Sequence, residues 1–112
     1  MSVISTAIRK SAGHHAAHCM LNIADVCGDS TDAKTAGNML CHIRIVGEVG
    51  GGQKPDDFCA AFGCGPCHAC LDSNGSAHRL SDLEWHFYSL RGMARTIRWL
   101  HQHGFITIKG AA

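Results

Sequence analysis

The chain has 112 residues, 46% of them hydrophobic and 17% charged, which allows one compact domain and leaves no room for a second independent core. Ten Lys and Arg against nine Asp and Glu give a formal charge of +1, so whole-chain charge is excluded as an argument for a nucleic-acid, membrane or acidic partner, and any electrostatic case has to be local. Seven Cys and nine His stand beside only four Phe, two Trp and one Tyr; the aromatic core is thin and something else must help hold the fold.

Residues 1–16 show weak periodicity and read as an N-terminal arm, mobile or laid on the domain as a short helix, before a single domain over 17–110. They contain no apolar run long enough for an export signal or a membrane span, which implies a cytoplasmic protein with no membrane partner. Glutathione keeps thiols reduced there, so an odd set of seven cysteines is better read as metal ligands plus buried thiols than as a disulfide framework. Gly28 to Gly37 is polar and turn-rich, a loop. Met39 to Val46 is expected as a strand sending Met39, Cys41, Ile43 and Ile45 to one face and Leu40, His42, Arg44 and Val46 to the other. Gly47 to Gly52 forms a loop permitting close backbone approach, and Phe58 to Phe62 is the candidate return strand.

Cys64-Gly65-Pro66-Cys67-His68 turns into a short helix ending near Asp72, where Ser73-Asn74-Gly75 makes a turn. Ser81 followed by Glu84 is a capping box, and Leu83, Phe87, Leu90, Ala94 and Ile97 recur at helical spacing, so a helix is expected over about 82–102. Gly104 can stop it in a left-handed cap, and Phe105 to Lys109 reads as a short terminal strand.

Cys64 and Cys67 have zinc-knuckle spacing, since two thiolates on a tight turn reach one tetrahedral ion. Two more ligands are needed. Cys19 and Cys27 are the upstream candidates, with Cys70 in reserve; the bland alternative makes Cys19 and Cys27 small buried residues or a redox pair. A closed four-thiolate Zn²⁺ site contributes on the order of 10 kcal/mol to folding. Cys41, on the apolar strand face, is expected to be a packed thiol. His68 and Asp72 are four residues apart on a helix and can converge on a second ion; equally, Asp72 can form the turn and His68 can answer the helix dipole.

Paired cysteines, His42 on a strand, a Gly-rich loop and then Cys64-x-x-Cys67-His68 occur in an order that resembles the HNH endonucleases of the ββα-metal fold. More closely, "HIRIVGEVGGGQKPDD", "CGPCH" and "GMARTIRWL" look like the YbcO-type family of small prophage-encoded proteins classed as nucleases, over about residues 17–109. The resemblance implies an α+β fold, a small zinc-stabilised ββα-metal (HNH-like) domain with a long C-terminal helix and a short terminal strand. It also implies His42 as the general base that activates water, His68 as a metal ligand and Arg44 as a partner for phosphate charge. Two departures stand out: Cys41 takes the place of the usual Asp or His before the base, and no Asn occurs near Cys59. Asp57, Asp72 and His78 are the candidate replacements, with Asp72 favoured by its spacing from His68 and Asp57 alternatively a loop cap.

After Glu84 the chain holds Arg91, Arg95, Arg98 and Lys109 and no acidic residue. Arg91, Arg95 and Arg98 share one helical face that can follow a phosphate backbone or simply be solvated. Gly92 points to close packing or a bend, and Trp85 and Trp99 to the core. The expected function is therefore an endonuclease hydrolysing DNA phosphodiester bonds with a structural Zn²⁺ and a catalytic divalent cation such as Mg²⁺, Mn²⁺, Ni²⁺ or Zn²⁺. The alternative is a non-catalytic zinc module that binds nucleic acid or phage or host recombination proteins; a thiol redox sensor, suggested by the surplus cysteines, ranks third.

Overall fold

The computed structural model describes residues 4–28, 37–44, 56–72 and 80–110. Among them run, in chain order, helix α1 (Thr6–Ser11), strand β1 (Met39–His42), strand β2 (Ala60–Gly63), helix α2 (Gly65–Asp72) and helix α3 (Asp82–Gln102). This is an α+β arrangement in which a two-stranded antiparallel sheet leads into a short helix and then a long one. No described helix is long and apolar enough to cross a membrane. The Gly47–Gly52 loop, His78, Ile45, Val46 and most of the 28–37 loop lie outside the described residues.

Strand pairing sets Met39 opposite Gly63 and His42 opposite Ala60, and the Ile43 N–H extends it by donating to the Cys59 carbonyl. The expected alternation holds for Cys41 and Ile43, which are fully buried, and for half-buried His42 and exposed Arg44 on the opposite face. Met39, expected on the buried face, is instead exposed at the strand's end. The return strand starts two residues later than its hydrophobicity suggests. Residues 56–59 are held in a turn closed by Cys59 N–H on the Asp56 carbonyl, which leaves Phe58 exposed and keeps Asp57 out of the ladder.

All of β2 is buried, because α3 lies across it. Small residues make that approach possible: a Cβ on Gly92 would stand 2.8 Å from Leu21 Cδ2 and 3.0 Å from Ala61 Cβ. The free edge of β2 is also used, with Phe62 N–H donating to Thr96 Oγ1 and the Phe62 carbonyl accepting from Met20 and Leu21. The helix bounds and capping box match the sequence reading. Its buried face does not follow the Leu83–Ile97 stripe, however. Ser89, Gly92, Thr96, Trp99 and Leu100 face inward, while Leu83, Phe87 and Leu90 point to solvent; a backbone that comes this close to the sheet needs small side chains at the contact, whatever the hydrophobic pattern favours.

Residues 105–109 do not form the expected terminal strand. After Gly104, with φ +77, Phe105 N–H donates to the Leu100 carbonyl and Gly104 N–H to that of His101, a Schellman closure that folds the chain back on α3. The Phe105 ring then stacks on Trp99. Trp99, edge-on to Phe62 and donating to the Ala16 carbonyl, and Trp85, donating to the Leu71 carbonyl, are both packing residues as anticipated. α1 packs against β1, so the described part of the N-terminal stretch is laid on the domain.

Candidate metal centre and active site

Four cysteines from two distant segments meet. The sulfurs of Cys19, Cys27, Cys64 and Cys67 lie within 4.8 Å of one another, and Cys27 and Cys64 are 3.9 Å apart. A tetrahedral zinc with Zn–S of about 2.3 Å needs S···S edges of about 3.8 Å, so the donor set fits such an ion in type, number and spacing. Cys64 closes β2 and Cys67 sits in the first turn of α2, placing two sulfurs on one tight turn. Cys19 and Cys27 bracket a loop whose left-handed residues Asn22 (φ 43) and Asp25 (φ 63) bring both sulfurs inward. The loop is fastened at the middle, where Arg91 donates to the carbonyls of Leu21 and Asn22.

Cys19, Cys27 and Cys67 show the electrostatic signature of a site that wants a cation. The Cys19 thiol is held down to about 4 by a hydrogen bond from Cys67 and, against burial, by the backbone N–H groups of Asn22 and Cys64. Once Cys19 is negative, Cys27 and Cys67 resist ionisation: burial and the Cys19 charge push Cys27 up to about 12, and the hydrogen bond to Cys19 together with burial pushes Cys67 up as well. Cys19 forms a thiolate readily, whereas Cys27 and Cys67 do so only when a positive ion offsets the repulsion. Cys70 and Cys41 are buried outside the cluster; burial raises both thiols, Cys41 to about 12. Cys41 is thus the packed thiol its strand position suggested.

The second centre is built around Asp57. This carboxylate is 1% exposed yet surrounded by donors. His42 Nε2 is 2.8 Å from Oδ1, Arg9 Nε is 2.9 Å from Oδ2 and 3.1 Å from Oδ1, and the Ser5 N–H is 2.6 Å from Oδ2. Burial alone would raise its pKa, but the hydrogen bonds from Arg9, His42 and Ser5, with the Arg9 charge, hold it at about 2. Asp57 is therefore a buried anion that can only accept. From the sequence alone Asp57 is a replacement ligand or a loop cap, and Arg9 and Ser5 have no assigned role. Nothing local could have found this group, because its members are separated by 15, 48 and 52 residues.

His68 and Asp72 meet on α2, with Nε2 2.9 Å from Oδ2, on a side exposed to solvent. The Asp72 charge also reaches Cys41, the neighbour of His42 on β1, and adds to the raising of its thiol. Arg44 is exposed. Of the three helical arginines, Arg95 and Arg98 are exposed, whereas Arg91 is engaged with the 21–22 carbonyls and lies 5.0 and 5.1 Å over the Phe87 and Tyr88 rings.

The profile of the protein family described as "Putative nuclease YbcO" matches residues 6–105, nearly the whole chain. The chain belongs to the YbcO family. Among YbcO proteins it is 32% identical over 96 residues to "Putative nuclease YbcO" of Escherichia coli strain K12, covering 85% of this chain and 92% of that one. It matches "Putative nuclease ybcO" of Enterobacteria phage 82 with the same identity and coverage. Among solved structures it resembles one described as a "putative bacteriophage protein from Escherichia coli str. K-12", with a TM-score of 0.65 and 26% identity over 88% of this chain and 99% of that one.

Proposed function

We propose that this protein is a metal-dependent endonuclease that hydrolyses DNA phosphodiester bonds by an HNH-like mechanism, with His42 as general base and a structural zinc held by Cys19, Cys27, Cys64 and Cys67. The observation that carries the reading is the 2.8 Å bond between His42 Nε2 and the buried, ionised Asp57. Family membership supports a nuclease-like role, and the β1, β2, α2 order, with His42 on the first strand and His68 on the helix, supports the HNH-like form.

Because Asp57 can only accept, His42 donates from Nε2 and keeps its Nδ1 lone pair for a water proton. As that proton arrives, the imidazolium is stabilised by the carboxylate already bonded to it, which favours deprotonation of the attacking water. Arg9 and the Ser5 N–H keep the carboxylate charged and oriented, leaving Asp57 to position His42 rather than to take the proton itself. Arg44, exposed on the same strand face, can bind a phosphate oxygen. His68 and Asp72 are the pair that would hold the second cation, with His78 a further candidate; when bound, a divalent cation supplies charge neutralisation at the scissile phosphate and the leaving oxygen. Arg95 and Arg98 extend a basic track for the nucleic acid, to which Arg91 adds charge from beside the zinc loop.

Exposed Arg95 and Arg98 also favour a second reading, a zinc module that binds nucleic acid without cutting it. Incubation of the zinc-loaded protein with plasmid DNA and Mg²⁺, Mn²⁺, Ni²⁺ or Zn²⁺ separates the two. Nicking that is lost in His42→Ala supports the endonuclease; salt-sensitive binding with no nicking under any metal, or equal nicking by His42→Ala, rejects it.

A further inference from the structure

Helix α3 has a second apolar face that is exposed among the described residues. Leu83, Phe87 and Leu90 are 82%, 53% and 71% exposed, while the side against β2 is made largely of small residues. With exposed Ala94 and half-buried Ile97, the outward residues follow at steps of four, three, four and three. That alternation is the 3.5-residue repeat of a coiled-coil seam, narrower than the stripe with which a helix lies on its own domain. Scattered apolar side chains are ordinary on a surface; three large ones in line within two turns mark a place where something docks.

The charges along the same helix indicate the occupant. Asp82 and Glu84 occupy its first turn, Arg91, Arg95 and Arg98 follow, and no acidic residue occurs after Glu84. A surface that is acidic at one end and basic at the other is complementary to itself turned round. In an antiparallel pair the acidic turn of each helix meets the basic stretch of the other and the two macrodipoles oppose, whereas a parallel pair sets arginine against arginine. With Leu90 of one copy against Phe87 of the other, Leu83 falls opposite Ala94, a large side chain against a small one, and a two-fold axis generates both layers twice.

We infer that α3 is the interface of a two-fold homodimer in which the Leu83, Phe87, Leu90, Ala94 and Ile97 rows of two chains pack antiparallel. The helix is already folded by its own domain, so the pair forms without the ordering cost that a free coiled coil of this length would carry. The seam is only about 20 Å long at ~1.5 Å per residue, below the size of a standard interface, so the dimer should be a micromolar one.

Sedimentation equilibrium or light scattering on the full zinc-loaded chain, over roughly 1–200 µM, tests this. The expected result is a mass rising from monomer to dimer, with Leu90→Lys and, separately, Leu83→Lys remaining monomeric while their circular dichroism matches wild type and their melting matches it at the dilute end, where wild type too is monomeric. Raising salt should weaken the wild-type dimer several-fold, as complementary charges require. A wild-type monomer throughout, a Leu90→Lys variant that dimerises normally, or association strengthened by salt would overturn the inference. So would a stripe that becomes protected only on adding DNA.

Discussion

Replacing Asp57 by Asn removes one charge and keeps the shape, so its effect can be worked from the structure. Ionised Asp57 is favoured by its surroundings to the extent that its pKa falls from the ordinary 3.8 to about 2, which corresponds to about 2–3 kcal/mol at ~1.4 kcal/mol per pKa. The carboxylate is 1% exposed, but the Arg9 side chain that holds it is 35% exposed, so solvent screening trims that figure toward its lower end. For a carboxylate with a depressed pKa, the contribution is complete above the unfolded value near 4 and is lost as pH falls through about 2. At pH 7 it is therefore fully present, and Asp57→Asn should lower stability by about 2–3 kcal/mol, or about 10 °C in Tm for a domain of this size. Urea denaturation of the zinc-loaded proteins at pH 7 measures the difference directly. In the same sample, long-range nitrogen–proton NMR of the His42 ring should show the proton fixed on Nε2 in wild type and a mixture of tautomers in the variant. A variant within about 0.5 kcal/mol of wild type, with an unchanged His42 tautomer, would refute the view that Asp57 is a charged anchor for that ring.

Three other outcomes follow from the geometry. Purified protein should carry one zinc per chain, and chelation or Cys64→Ser should remove on the order of 10 kcal/mol and leave the chain unfolded by circular dichroism; a metal-free form that melts no earlier would remove the structural role. Gly92→Val should destabilise by about 2–3 kcal/mol in urea, because its branches must enter space held by buried Leu21 and Ala61, outweighing a few tenths gained in helix propensity. Arg95→Ala with Arg98→Ala should leave melting unchanged and reduce the log–log salt slope of duplex DNA binding by about 2, whereas an unaltered slope would place the nucleic acid elsewhere.

Local patterns carried a good deal of this protein. The Ser81–Glu84 capping box and Gly104 defined α3 nearly to the residue, since caps satisfy backbone groups within a single turn. The Cys64–Cys67 turn, with Cys19 and Cys27 as its upstream partners, was legible because one ion imposes a spacing that chemistry makes recognisable. Only the tertiary structure decided which face of α3 is buried: the closest contact to β2 falls at Gly92, and small side chains there override the longer apolar stripe. It likewise decided that residues 105–109 fold back as a cap, because a strand-like composition has no use without a neighbouring edge. Above all, it decided the environment of His42. The sequence contains Ser5, Arg9, His42 and Asp57 as separate letters, and no periodicity relates them. They become one charged network because α1 and the turn before β2 are packed on the same side of β1, and burial makes a carboxylate there dependent on every donor around it.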